Sequence, residues 1–131
     1  MPAFVDTNVF GYLIGDGRKE RVARQIALAS PHISVQVLNE FIAVCRKSKK
    51  DLPTAYRLAN TLASACTVHG LTVTTFRLAQ TFATTHQVSH WDALILAAAN
   101  IAQCDTLYSE DLQHGQKIGG LTIVNPFLSA A

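Results

Sequence analysis

Four acidic residues stand where a carboxylate needs an explanation. Asp6 ends the apolar run Ala3-Phe4-Val5, and Glu40 lies inside a helical pattern beside Phe41. Asp92 stands one turn inside a stretch opening at Ser89, where nearly every residue from Ala93 to Ala102 is apolar, and Asp111 follows Thr106-Leu107-Tyr108. A charge beside apolar segments requires a partner, a capping role or a metal. Singly, three of them have plain alternatives. Asp6 can cap the helix that follows it, Asp92 can complete a capping box with Ser89, and Asp111 can open a short helix capped by Ser109. Glu40 is different, because its neighbours one turn away are Gln36, Val37, Ala43 and Val44, none of them basic. Its charge needs a distant cation or a metal ion.

Taken together, the four acids have one chemistry. Carboxylates within ~4–6 Å of one another repel, and proteins gather them around a compensating cation. Hard oxygen ligands without a Cys/His cluster suit Mg²⁺ or Mn²⁺. His32, His69, His86, His90 and His114 lack zinc-ligand spacing. Neither a Ser-His-Asp nor a Cys-His arrangement is evident, which disfavours covalent catalysis. A divalent ion held by carboxylates can lower the pKa of bound water and neutralise charge on a phosphate, so metal-assisted hydrolysis is the chemistry that suits these residues.

The elements that must position these acids follow from patterning. Ala3-Phe4-Val5, His32-Ile33-Ser34, Thr67-Val68-His69, Thr106-Leu107-Tyr108 and Leu121 to Val124 read as short strands. Between them lie helical patterns over Val9 to Ile14, Arg18 to Ala29, Val35 to Lys47 (with Ser34 as cap), Asp51 to Cys66, Thr75 to His86 and the Asp92 segment. Val22, Ile26 and Ala29 should face inward on the second helix, and Phe76, Ala79, Phe82 and Ala83 on the fifth. Gly115 to Gly120 reads as a loop. Strands alternating with helices imply an α/β fold with a parallel sheet, whose ligands sit beyond the carboxyl ends of the strands. Asp6 and Asp111 both follow strands and share that edge.

The 131 residues, 49% hydrophobic and 15% charged, are expected to form one domain over 1–131 rather than a disordered chain. A net charge of +2 neither demands nor excludes nucleic acid. Cys45, Cys66 and Cys104 are odd in number and lie in apolar patterns, as reduced core residues of a cytoplasmic protein would. No signal peptide and no membrane span is expected.

Phe4-Val5-Asp6-Thr7-Asn8, Ser34-Val35-Gln36-Val37-Leu38-Asn39-Glu40, Asp92-Ala93-Leu94-Ile95 and Leu107-Tyr108-Ser109-Glu110-Asp111-Leu112 resemble the PIN-domain ribonucleases, and most closely the VapC-type toxins of bacterial toxin–antitoxin pairs. The resemblance spans essentially the whole chain. It rests on four acids in order, each in its expected context, rather than on any single motif. It implies a three-layer α/β/α sandwich around a short parallel sheet of about five strands. It also implies a Mg²⁺- or Mn²⁺-dependent endoribonuclease with Asp6 and Asp92 as the main metal ligands. Glu40 and Asp111 would complete the site, and Asn8 and Ser109 would hold the carboxylates in place. Ser109 stands where many members have threonine, which keeps the hydroxyl.

The implied partners are an RNA substrate, a cognate antitoxin and a second copy of the chain in a homodimer, with no membrane. Arg18, Lys19, Arg21 and Arg24 could offset the acids toward RNA, whereas Arg46, Lys47, Lys49 and Lys50 suit a helix C-terminus. Trp91 could stack on a base, although packing beneath Asp92 is the commoner role. Glu110 reads as an exposed neighbour of Asp111, and His114 has no assigned role. Three other readings share the acids: a non-catalytic scaffold docking a basic peptide, a PIN nuclease of RNA processing, and a phosphoacceptor receiver domain. The last lacks a lysine after its late strand.

Overall fold

The computed structural model describes residues 2–128. Its strands are β1 (Ala3–Val5), β2 (His32–Ser34), β3 (Thr67–His69), β4 (Thr106–Tyr108), β5 (Lys117–Ile118) and β6 (Leu121–Val124). They form one sheet in the order β3-β2-β1-β4-β6-β5, parallel throughout except where β5 meets β6. The helices are α1 (Thr7–Phe10), α2 (Arg18–Leu28), α3 (Val35–Lys47), α4 (Leu52–Ala65), α5 (Val73–His86) and α6 (His90–Ile101). Sheet and helices make the expected three-layer α/β/α sandwich.

Short strands suffice because they are buried centrally. Phe4, Val5, Ile33, Leu107, Leu121 and Ile123 are wholly inaccessible, as unbroken apolar runs in a parallel sheet should be. Helix α6 is buried from Ala93 through Ala99, packing on α5 and against β2 and β6. On the other side α3 packs on α4 and α1, and α2 on α4.

Local chemistry sets the helix starts. The Ser89 hydroxyl accepts from the Asp92 amide at 3.1 Å, and Asp51 accepts from the Thr54 amide at 2.9 Å. Thr72 and Thr75 form a reciprocal capping box that starts α5 at Val73, two residues before the position read from periodicity.

The structure also corrects several expectations. The segment read as a loop from Gly115 to Gly120 contains β5. Gly119 and Gly120 have φ of +56° and +89°, and this two-residue turn folds Ile118 back against Leu121. The first helix begins at Thr7 and tightens into a 3-10 turn over Gly11–Ile14. Ser34 precedes α3 without capping it, and its buried hydroxyl has no partner. Residues after β4 form bends instead of a helix. Ala29 and Phe76 are exposed, because the buried stripes run through Ala23 on α2 and through Thr75, Ala79 and Phe82 on α5.

Candidate active site at the switch point of the sheet

From β1 the chain builds β2 and β3 on one side of the sheet, then returns to lay β4, β6 and β5 on the other. The carboxyl ends of β1 and β4 therefore flank the crevice at which such sheets bind ligands. The Asp6 amide donates to the Tyr108 carbonyl at 2.9 Å, and the Ser109 amide to the Val124 carbonyl at 3.0 Å. Both residues thus continue the strand ladders one step and come to lie side by side.

Asp6 is wrapped in donors. Its Oδ2 accepts from the Ser109 hydroxyl at 3.0 Å and from Asn8 Nδ2 at 3.2 Å, while Oδ1 accepts from the Thr7 amide at 2.7 Å. Asn8 is fixed in turn, its Oδ1 accepting from the Glu110 amide at 3.0 Å. Ser109 Oγ also accepts from the Asp111 amide at 3.3 Å, which ties that acid's backbone to the cluster. Asp6 is both a helix cap and a member of the cluster.

Glu40 is reached from α3. Its Oε1 accepts from the Thr7 hydroxyl at 2.6 Å and its Oε2 from Gln36 Nε2 at 3.2 Å. The same Gln36 nitrogen donates to the Trp91 carbonyl at 3.2 Å, linking α3 to the mouth of α6 beside Asp92. Gln36 Oε1 is buried without a donor. The sequence reading assigned no role to Thr7 or Gln36. Thr7 lies between Asp6 and Asn8, and Gln36 one turn before Glu40 on its face, so position alone hinted at both.

The electrostatics show how the acids bear on one another. Burial raises the Asp6 carboxyl to about 6 against the pull of its Ser109 and Thr7 hydrogen bonds, and the charges of Asp92 and Glu40 push it further. Asp92 is also raised, first by burial and then by Asp111 and Glu40, against the Ser89 bond. Asp6 is buried, Asp92 and Glu40 are half-buried, and Asp111 is exposed. The salt bridges Lys19–Glu110, at 2.6 Å, and Arg24–Glu20, at 2.8 Å, engage none of the four.

Glu110 is therefore not the exposed neighbour expected from sequence. It accepts from Lys19 and Tyr12, and these bonds outweigh its partial burial and hold it below the usual carboxylate range. Arg18 donates to the Phe127 carbonyl at 2.8 Å, while Arg46 and Lys47 occupy the last turn of α3, as cations at a helix C-terminus do. His114 accepts from the Asn125 amide at 3.0 Å. Trp91, expected to pack beneath Asp92, is 64% exposed.

A model of the PIN domain matches residues 3–117. The chain belongs to the PIN-domain family. Among solved structures, this PIN domain is similar to a toxin–antitoxin complex from Klebsiella pneumoniae, at 23% identity and TM-score 0.74 over 95% of this chain and 98% of that one. It is also similar to Mycobacterium tuberculosis VapC20, a sarcin–ricin-loop-cleaving toxin (23%, TM-score 0.67, 83% and 89% covered). A third is VapBC-1 from nontypeable Haemophilus influenzae (18%, TM-score 0.72, 96% and 98% covered). At these identities the likeness is one of fold. No curated protein matches the chain.

Among the described residues of the PIN domain, no three His, Cys, Asp or Glu side chains converge into a ready-made ligand group. The donor set nonetheless fits a hard divalent ion. It is all oxygen, and the buried Gln36 Oε1 beside Glu40 lacks a donor. Asp6 and Asp92 would hold such an ion, with Glu40 and Asp111 around it.

Proposed function

We propose that this PIN domain is a Mg²⁺- or Mn²⁺-dependent endoribonuclease, acting in the cytoplasm as the toxin of a toxin–antitoxin pair. The reading takes residues 1–131 as one nuclease domain working as a homodimer. One observation supports it: Asp6, buried at the switch point, is raised to about 6, first by burial and then by the charges of Asp92 and Glu40, which come from distant parts of the chain. A buried carboxylate so placed needs a cation. Membership of the PIN family supports the hydrolase reading, and the toxin–antitoxin complexes of the same fold support the partner.

A divalent ion held there by Asp6 and Asp92 would supply an acidified water and offset charge on the scissile phosphate. The chain's own residues prepare the place. Ser109 and Asn8 fix the orientation of Asp6, Thr7 and Gln36 fix that of Glu40, and Ser89 fixes the turn carrying Asp92. Glu40 and Asp111 would complete the site, directly or through water, and one of them would orient the attacking water. Among the described residues no helix is long and apolar enough to cross a membrane.

An antitoxin also has a surface to fit. A cavity of about 220 Å³ opens between α2 and α4, lined by Leu13, Ala27, Leu28, Leu58 and Leu62 with Arg24 at its edge. An apolar helix or extended segment would fill it. The deciding experiment expresses the chain in bacteria with and without the adjoining upstream reading frame. Growth arrest that requires Asp6 and is relieved by that frame is the expected result. Arrest by Asp6→Asn equal to wild type would sink the site.

A further inference from the structure

Three side chains close a triangle beside the acid cluster. Glu110 Oε1 accepts from the Tyr12 hydroxyl at 2.5 Å and Oε2 from Lys19 Nζ at 2.6 Å, and the same ammonium donates to the Tyr12 oxygen at 3.1 Å. Lys19 Nζ also lies 4.7 Å from the centre of the Tyr12 ring and 5.3 Å from that of Phe127, within cation–π range. Lys19 is on α2, Tyr12 in the 3-10 turn and Glu110 after β4, so the triangle ties together three separate segments.

The irregular backbone after β4 gives this triangle a task. Residues there form bends, so no helical ladder sets the direction of the Glu110 amide. Ser109 ends the strand ladder at Val124, and the Asp111 and Leu112 amides both turn back to the Ser109 hydroxyl. The Glu110 amide instead donates to Asn8 Oδ1 at 3.0 Å, and Asn8 Nδ2 donates to Asp6 Oδ2 at 3.2 Å. Holding the Glu110 side chain therefore holds the amide that orients Asn8, and through Asn8 the Asp6 carboxylate. The Lys19 side chain is 42% exposed, and an ion pair so open to water adds little to global stability. Its effect is local.

We infer that Lys19 and Glu110, closed by Tyr12, are positioning residues for Asp6, acting through the Glu110 amide and Asn8. The consequence for metal binding and cleavage rests on the nuclease reading, whereas the effect on the Glu110 amide does not. A lysine in direct contact with RNA sets KM and its salt dependence. A lysine that positions a metal ligand sets metal affinity and kcat.

Lys19→Met keeps the aliphatic stem and removes the ammonium, and Glu110→Gln keeps the shape and removes the charge. Amide hydrogen exchange of the metal-free full chain, read by NMR, should show Glu110 protection falling roughly tenfold in each variant, with the unfolding midpoint unchanged. Calorimetry should show Mn²⁺ affinity falling about threefold to tenfold, and kcat should fall with KM for bulk bacterial RNA at its wild-type value. Lys19→Arg should restore protection, affinity and kcat together. The double variant should do no more harm than either single one, because one path is broken twice. Wild-type exchange at Glu110 in both single variants, or losses that add in the double, overturns the inference. So does a raised KM with kcat intact, which would assign Lys19 to the RNA backbone. Lost protection in a protein whose wild type neither binds Mn²⁺ nor cleaves RNA would keep the brace and remove the nuclease reading. Wild-type Mn²⁺ affinity and cleavage in Lys19→Met would do the reverse.

Discussion

Ser109 Oγ lies 3.0 Å from Asp6 Oδ2, joining the ends of β4 and β1 across 103 residues of chain. This bond works against the burial that raises Asp6, and the same hydroxyl accepts the Asp111 amide. Ser109→Ala removes both effects. Mn²⁺ affinity should fall about tenfold, and the acidic limb of the pH–rate profile should move upward from its wild-type position. Ser109→Thr, which keeps the hydroxyl, should restore both. Calorimetric titration with Mn²⁺ and a pH series of cleavage rates check the pair.

Asp6 also makes stability depend on pH in an unusual direction. Its folded-state carboxyl titrates near 6 against an ordinary value of 3.8, so between those values the folded chain keeps a proton that the unfolded chain has lost. The Asp6 contribution to stability is therefore greatest at low pH and declines as pH rises from about 4 to about 6, by on the order of 3 kcal/mol. Above that range ionised Asp6 is a liability that the proposed Mg²⁺ or Mn²⁺ would remove. In EDTA, the Tm of Asp6→Asn relative to wild type should climb across this window. Added Mn²⁺ should stabilise only wild type, and more at pH 7.5 than at pH 5. A difference independent of pH would contradict the assignment.

Gly119 is a second stability determinant. Its φ is +56°, and a Cβ there would lie 2.9 Å from the Phe82 ring and 3.2 Å from Asn100 Nδ2. Gly119→Ala should lower unfolding free energy by about 1–3 kcal/mol. Denaturant unfolding reads the loss, and activity per folded molecule should be retained, because the turn lies outside the acid cluster.

The groove between α2 and α4 is the surface proposed for the antitoxin, apart from the acids proposed for catalysis. Leu28 is 78% exposed on its rim, and Leu58 lines it. Leu58→Arg should weaken capture of the antitoxin at least about tenfold and leave cleavage of RNA by the free chain intact. Co-purification with the product of the upstream frame, alongside an RNA cleavage assay, tests this.

Patterning made the order of strands and helices legible, because three-residue apolar runs and helical stripes are local features. The Ser89 cap and the strand-end position of Asp6 were equally local. Other features depend on partners far along the chain. Glu40 was marked as needing a partner, but its bond from Thr7 spans 33 residues. Glu110 looked solvated because Lys19, its partner, lies 91 residues away. Periodicity placed Phe76 on a stripe without showing that Thr75, one position earlier, takes the buried place. Strand β5 depended on two glycines adopting positive φ, and sequence signals only that they can.

The main-chain amide of Asp6 belongs to the hydrogen-bond ladder that joins β1 to β4. Displacing the Asp6 backbone therefore means breaking the centre of the sheet, the part of a fold that opens last. Asp6 therefore keeps its place for as long as the sheet holds. Silencing the proposed nuclease without unfolding it would call for occlusion from outside rather than displacement of Asp6.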